Sequence, residues 1–186
     1  MIDKIISFGD SFMYGSDLPD CDGTAQSQFS QLTWPALCAK ELGLAYHSYA
    51  IGSVGNYYIA TSIMGHASNS TLCIINWSWI DRFTLFTTAT RPLNITPTSK
   101  NETSKFYYKH LNSEINDRLT SLFVIHSTHQ YLKNNNIPFI ATYMDKLILD
   151  EKYHNSLPIT SLQNSLKDDL ITFPNDQTFL EWSRSN

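Results

Sequence analysis

A serine with the surroundings of a nucleophile stands near the start of the chain, in Gly9-Asp10-Ser11, after an apolar run that begins at Ile5. A serine that follows a strand is exposed at the edge of a sheet, where open α/β folds bind ligands. Gly9 and Gly15 permit tight turns and the close approach of a substrate to backbone N–H groups, which an oxyanion hole requires. The pattern therefore predicts acyl-transfer chemistry at Ser11, with helix capping by Asp10 or Ser11 as the alternative.

Short β-rich runs alternate with helix-like segments along the chain. The predicted strands are KIISF, AYHSYA, TLCIIN and IPFIATYM. The alternation favours a three-layer α/β/α fold with a central parallel sheet, in one domain over residues 1–186. The first predicted helix, TWPALCAKELG, has Thr33 as a possible N-cap, Pro35 in its first turn and Gly43 after its end. Two more are predicted in NYYIATSIMGHA and over residues 113–134.

The stretch from Phe83 to Tyr107 is rich in Thr, Asn, Ser and Pro and has no clear periodicity. We predict a long loop there, which forms a lid or wall beside the carboxyl edge of the sheet.

The composition limits the classes of partner. The hydrophobic share of 42% and the charged share of 16% indicate a folded globular protein. A net charge of -4 argues against nucleic acid as a partner. Cys21, Cys38 and Cys73 are too widely spaced for a zinc site, and no motif indicates a cofactor. The sequence shows neither a signal peptide nor a membrane-spanning run, so we expect a cytoplasmic protein.

Three segments carry a resemblance to a known family. FGDSFMYG resembles the first sequence block of the SGNH, or GDSL, hydrolases, YAIGSVGNYYIA the second and TLCIINWSW the third. The order and spacing of these segments fit along most of the chain. The resemblance implies a flavodoxin-like SGNH fold and a serine ester hydrolase.

The resemblance also implies roles for single residues. Ser11 would be the nucleophile, and its N–H the first oxyanion donor. The second donor would come from the turn of Gly52 and Ser53. If Asn56 is aligned with the asparagine of the second block, the glycine of the family falls on Ser53; if the alignment shifts by one residue, it falls on Gly52.

The third block departs from the family pattern, Gly-x-Asn-Asp. Asn76 has the side chain of the expected donor but lies early, and its alternative role is a hydrogen bond at the strand end. Ser78 lies nearer the expected position and could donate through its hydroxyl. We favour Ser78.

The catalytic base is the missing part. The family takes it from Asp-x-x-His near the C-terminus, whereas no histidine follows His154 here, so we expect a fold without the C-terminal catalytic block.

His126 and His129 have a spacing that two metal ligands could share, but no carboxylate or cysteine stands near them in sequence, and we predict no metal site. Asp10 and Asp145 are candidates for lining the substrate pocket, with capping as the alternative. The histidines are His47, His66, His110, His126, His129 and His154.

A narrower resemblance rests on IISFGDS, TWPALCAKELG, INWSW, NIPFIATYMD and FLEWSRS. Together they resemble small SGNH-type proteins of tailed phages of aquatic bacteria, which would place the protein in the host cytoplasm or the virion.

Two functions follow from these patterns. The first is hydrolysis of a small acyl ester or an acylated carbohydrate. The second is a non-catalytic module that binds glycan, a protein partner or a second copy of the chain, for example in a phage assembly. A nucleotide-binding protein is a third, but no Gly-x-Gly-x-x-Gly or phosphate-loop motif supports it. The aromatic residues that would suit the module are Trp77, Trp79, Phe83, Phe86, Tyr107 and Tyr108.

Overall fold

A computed structural model describes residues 2–21, 28–87, 92–153 and 156–185. Its strands are β1 (Lys4–Phe8), β2 (Ala45–Ser48), β3 (Thr71–Trp77), β4 (Phe83–Leu85), β5 (Leu93–Ile95) and β6 (Phe139–Tyr143). Its helices are α1 (Ser11–Tyr14), α2 (Trp34–Leu42), α3 (Asn56–His66), α4 (Glu102–His110), α5 (Glu114–Asn134), α6 (Leu157–Leu166) and α7 (Phe179–Ser185). Four strands form one parallel sheet in the order β2-β1-β3-β6. The predicted fold class and all four predicted strands are confirmed.

Side chains of successive residues point to opposite faces of this sheet and separate two apolar layers. Ile6 and Ile75 face the larger core, which they share with residues of α3, α5 and α6. Ile5 and Ile74 face a smaller core that includes Met13 of α1 and residues of α2. The sheet is therefore covered on both faces, as a parallel sheet requires.

The helix ends follow from local chemistry. Pro35 lies in the first turn of α2, where its missing N–H would have no partner in any case, and Gly43 ends the helix with a left-handed φ of 66°. Ser113 caps α5 by accepting a hydrogen bond from Asn116 N. The three helices predicted from sequence are confirmed.

The prediction of a long loop between Phe83 and Tyr107 is wrong. The segment contains the antiparallel pair β4 and β5 and then the start of α4, capped by the Asn101 side chain at Ser104 N. Residues 88–91 lie outside the described part of the chain. The β4–β5 pair does lie beside the carboxyl edge of the sheet, because Thr84 accepts a hydrogen bond from Gly55 N there (3.0 Å).

None of the described helices combines the length and the apolar character needed to cross a membrane. The last helix, α7, was not predicted from sequence. It packs beside α1, where the Phe12 and Phe179 ring centroids lie 6.0 Å apart in an edge-to-face arrangement.

Candidate active site

The end of β1 needs a glycine before the serine. A Cβ placed on Gly9 would lie 2.5 Å from Met13 Cγ and 3.1 Å from the carbonyl oxygen of Asn76. Any larger residue would force the strand end away from β3. The glycine thus allows the chain to turn sharply into α1 and to present Ser11 at the carboxyl edge.

Asp10 is a buried structural anchor of this turn. Its carboxylate accepts hydrogen bonds from Phe12 N (3.1 Å) and Ser78 Oγ (3.5 Å), and Arg82 lies 3.3 Å from it. Burial raises the pKa of the Asp10 carboxyl, and the hydrogen bond from Phe12 N and the Arg82 charge act in the opposite direction. Asp10 caps α1, which was the alternative role given to it from the sequence. Because it is fully buried, it does not line the surface that holds Ser11.

Ser11 is partly exposed directly after this anchor. Among the described residues, neither its hydroxyl nor its backbone N–H has a hydrogen-bond partner. Gly52 lies against it, since a Cβ on Gly52 would be 3.7 Å from Ser11 Cβ, and the Gly52 N–H is likewise unpartnered in the described part of the chain. A reachable hydroxyl and two unpaired N–H groups therefore meet at the carboxyl edge.

The turn after β2, which carries Gly52 and Ser53, is held in place by contacts with Arg82 and with the β4–β5 pair. Ser53 has a left-handed φ of 66°, and the following Gly55 has no room for a Cβ, which would lie 2.2 Å from the Arg82 carbonyl oxygen. Thr84 Oγ1 donates to Asn94 Oδ1 (3.0 Å), and Asn94 Nδ2 donates to Gly52 O (3.5 Å). The β4–β5 pair thus positions the turn that carries the second predicted oxyanion donor.

Asn56 and Ser78 are brought together, but for a structural purpose. Asn56 Oδ1 accepts from Ser78 N (2.7 Å), and Asn56 Nδ2 donates to Ser78 O (3.3 Å), so the amide pairs with both backbone groups of one residue. Ser78 is fully buried and its hydroxyl donates to Asp10, which leaves it no exposed donor. This pairing ties the start of α3 to the end of β3.

Asn76 is fully buried on the sheet. Its Oδ1 lies 2.9 Å from Thr142 Oγ1, which also lies 3.2 Å from Ile75 O, while its Nδ2 has no partner among the described residues. The single Thr142 proton can serve only one of these acceptors. An Asn76 amide turned by 180° would donate to Thr142 and free that proton for Ile75 O. Asn76 thus links β3 to β6 through its side chain.

Asp145 takes its alternative role as a cap, and the hollow that it borders is not the one that holds Ser11. Its carboxylate caps a short 3₁₀ turn at Leu147 N (2.9 Å) and accepts from Ile80 N (3.0 Å). It also borders a hollow of about 300 Å³ with Asp81 and Asp117. Burial and the Asp145 charge raise the pKa of Asp81. No group of metal-ligating residues occurs in the described ranges.

Ser11 opens into a cavity of about 440 Å³, which we call the serine cavity. It lies between α1, α2 and α7. Its lining residues are Ser11, Phe12, Gly15, Ser16, Asp17, Leu18, Leu32, Thr33, Trp34, Leu37, Phe179, Trp182, Ser183 and Arg184. A hollow of about 490 Å³ between α5 and α6 borders none of the predicted site residues.

None of the five described histidines lines the serine cavity; His154 lies outside the described residues. His66 stacks on Tyr49 at a centroid distance of 3.8 Å. His126 and His129, considered as metal ligands, take separate protein partners. His126 bonds Ser165 (2.8 Å), and His129 is buried in the core.

The sequence reasoning missed Arg82 and the wall formed by α7. Arg82 contacts Asp10 and stacks over Trp79, with its Cζ 3.8 Å from the ring centroid. Arg82 lies outside the quoted segments, and FLEWSRS, which spans α7, entered only the narrower resemblance and was not predicted as a helix. The predicted aromatic set is mostly used in packing: Trp77 is fully buried, and Phe83 contacts Tyr107.

No family model matches the chain, and no curated protein matches it in sequence. Among solved structures, an acetyl xylan esterase from the rumen bacterium Butyrivibrio proteoclasticus has a TM-score of 0.50 and 15% identity, over 91% of this chain and 54% of that one. A protein described as lipolytic and of the G-D-S-L family, from Desulfitobacterium hafniense, has a TM-score of 0.44 and 14% identity, over 98% and 70%. Phospholipase A1 from Streptomyces albidoflavus has a TM-score of 0.45 and 12% identity, over 90% and 73%. At these identities the likeness concerns the fold alone, a parallel sheet with helices on both faces.

Proposed function

We propose that this protein is a serine ester hydrolase in which Ser11 is the nucleophile. The observation that carries the proposal is the unpaired Ser11 hydroxyl in the wall of a cavity, with the unpaired N–H groups of Ser11 and Gly52 beside it. The hydrolase-like fold supports it. The substrate is an acyl ester, including an acylated carbohydrate, and no cofactor takes part.

In the proposed reaction the Ser11 oxygen attacks the ester carbonyl and its proton passes to a base. The two N–H groups stabilise the oxyanion, worth about 3 kcal/mol for each donor in well-studied cases. The carbon–alkoxide bond then breaks, the alkoxide takes the proton, and water later releases the acid from the acyl-serine.

The base comes from outside the described residues, because no described histidine lines the serine cavity. Asp10 is a poor substitute. Its carboxylate is fully buried and is engaged by Phe12, Ser78 and Arg82. His154, a neighbouring copy or a further segment of polypeptide could supply an imidazole.

The test is the intact mass after exposure to a fluorophosphonate, with and without added imidazole, which can replace a missing base. In the labelling step a Ser11 O–P bond forms, the P–F bond breaks, and the proton goes to the base. We expect an adduct on the wild type that forms faster with imidazole, and none on Ser11→Ala. Equal labelling of both proteins, or none on either at any imidazole concentration, would contradict the proposal.

A second candidate function is a non-catalytic module that binds a glycan or a protein partner, in the cytoplasm or in a phage assembly. The observation that favours it is the aromatic wall of the serine cavity, formed by Phe12, Trp34, Phe179 and Trp182. Aromatic faces suit sugar rings and protein interfaces. Xylo-oligosaccharide or partner binding that Ser11→Ala leaves unchanged, together with absent turnover, would favour the module.

A further inference from the structure

The serine cavity differs from an open polar cleft in the character of its walls. Most of its lining is apolar and comes from three helices, with Trp34 and Leu37 on one side and Phe179 and Trp182 on the other. Its volume of about 440 Å³ falls within the range of specific small-molecule sites. A space of this kind exceeds what an acetyl group would fill.

The aromatic walls are packed from behind. Phe173 lies between them, with its centroid 6.3 Å from Trp34 and 4.8 Å from Trp182. Phe179 is 6% exposed and meets Phe12 edge to face. Because each ring is held by a second ring, the cavity is formed without a ligand, which lowers the cost of ordering on binding.

The charged residues are confined to the rim. Asp17 and Arg184 border the cavity but are exposed, so their charges stay in water. Apolar surface therefore leads away from the Ser11 hydroxyl, and a ligand whose carbonyl lies at Ser11 would extend its remaining atoms along that surface. Removing apolar groups from water is the dominant source of affinity for such a wall.

We infer that the serine cavity binds the acyl chain of the substrate and selects apolar chains longer than acetyl. This inference rests on the proposed function, because it takes Ser11 as the attacking group. Each methylene that enters an apolar wall contributes about a fourfold preference. We therefore expect kcat/KM to rise about fourfold per methylene from acetyl through butyryl to hexanoyl esters, until the cavity is filled.

Binding to Ser11→Ala tests the cavity without relying on turnover. Methyl esters from acetate to octanoate are titrated, and quenching of tryptophan fluorescence reports occupancy because Trp34 and Trp182 lie in the wall. We expect the dissociation constant to fall about fourfold per methylene. A dissociation constant that does not change with chain length, or xylo-oligosaccharide binding without ester binding, would overturn the inference.

Two exposed leucines on α2 offer a matched pair of variants. Leu37 is 44% exposed and lines the cavity, whereas Leu42 is 64% exposed and does not. In the Ser11→Ala background, Leu37→Glu should weaken octanoate ester binding at least tenfold, and Leu42→Glu should leave it unchanged. On α7, Ser183→Phe should block the cavity, with the exposed Ser185→Phe as its control. Equal binding within each pair would place the ligand elsewhere.

The outcomes separate the two claims. Chain-length-dependent binding by Ser11→Ala, with no labelling of the wild type even with imidazole, would refute the hydrolase and keep the cavity as a binding site for apolar chains. Hydrolysis of acetyl and octanoyl esters with equal kcat/KM would refute the selectivity and keep the hydrolase.

Discussion

Two buried polar clusters meet the end of β3, one through Trp77 and the other through Ser78. In each, burial shifts the pKa of one group so that its charged form is disfavoured. We call them the aspartate cluster and the histidine cluster. The aspartate cluster consists of Asp10, Ser78 and Arg82, and the histidine cluster of Trp77, His129 and Asp169.

The histidine cluster is closed. Trp77 Nε1 can only donate, so His129 Nε2 accepts its hydrogen bond (3.1 Å), and the proton sits on Nδ1, which donates to Asp169 (3.4 Å). Burial lowers the pKa of His129 to about 4, and the nearby Asp169 opposes this only in part. A neutral ring with both nitrogens engaged has nothing left for a substrate.

The aspartate cluster has an open neighbour. Asp10 is as deeply buried as His129, but the next residue is the partly exposed Ser11, whose hydroxyl is unpaired within the described chain. A perturbed pKa alone therefore does not distinguish a structural cluster from a functional one. The distinction lies in whether the cluster positions an exposed reactive group.

The largest expected effect comes from breaking the aspartate cluster. Asp10→Ala removes the cap of α1 and the counter-charge of Arg82, whose side chain is 22% exposed. We expect a loss of about 3–4 kcal/mol in the free energy of unfolding, measured with urea. Labelling of Ser11 should slow as well, because the serine loses its support.

Asp10→Asn is the matched control, since it keeps the shape and the acceptor oxygen for Phe12 N. It should lose less stability than Asp10→Ala and retain more of the labelling rate. An Asp10→Ala protein that labels as fast as the wild type would show that the cluster does not position Ser11.

The second effect is a pH dependence from the histidine cluster. An unfolded histidine takes up its proton near pH 6.5, whereas His129 in the folded protein does so only near pH 4. Between these values the unfolded chain binds more protons, so the free energy of unfolding should fall as the pH is lowered from 6.5 to 4, by about 2–3 kcal/mol. Urea unfolding at several pH values measures it.

His129→Gln should remove this part of the slope, and His126→Gln on the same helix serves as the comparison. Labelling of Ser11 at neutral pH should be the same in both variants if the histidine cluster is purely structural. Slower labelling in His129→Gln alone would mean that the two clusters are coupled through Trp77 and Ser78 at the end of β3.

The sequence predicted those parts of the molecule that depend on local pattern. Strand runs such as KIISF alternate with capped amphipathic segments, and Gly9 with Ser11 indicates a strand-end turn. The β4–β5 pair escaped prediction because strands of three residues carry little periodicity. Helix α7 was not predicted, because the role of its residues depends on the contact between Phe179 and Phe12, which the sequence alone does not show.

The site was predictable only where a motif marked it. Ser11 and Gly52 are brought together as the resemblance implied. The hydrogen bonds that occupy the side chains of Asn56 and Ser78 join residues distant in sequence, so a single sequence does not show them. The same holds for Arg82, because its partner Asp10 lies 72 positions away in the sequence.

The smallest expected effect tests this last contact. Arg82→Gln removes the positive charge near Asp10 but leaves a side chain that can cover Trp79. Because Arg82 is partly exposed, we expect a loss of only about 1 kcal/mol in the free energy of unfolding at pH 7. Burial already raises the pKa of Asp10, and loss of the guanidinium should raise it further.

The sign of the pH dependence separates charge from packing. A carboxyl with a raised pKa in the folded state costs stability as the pH rises through that pKa, because the folded protein must then ionise it. The penalty of Arg82→Gln should therefore be present at pH 7 and shrink as the pH falls and Asp10 becomes protonated. In an Asp10→Asn background the substitution should cost little at either pH. A penalty that is the same at pH 7 and pH 4.5 and in both backgrounds would assign the role of Arg82 to its stacking on Trp79, and the Asp10 carboxylate would then depend on the hydrogen bonds from Phe12 N and Ser78 Oγ rather than on the charge of Arg82.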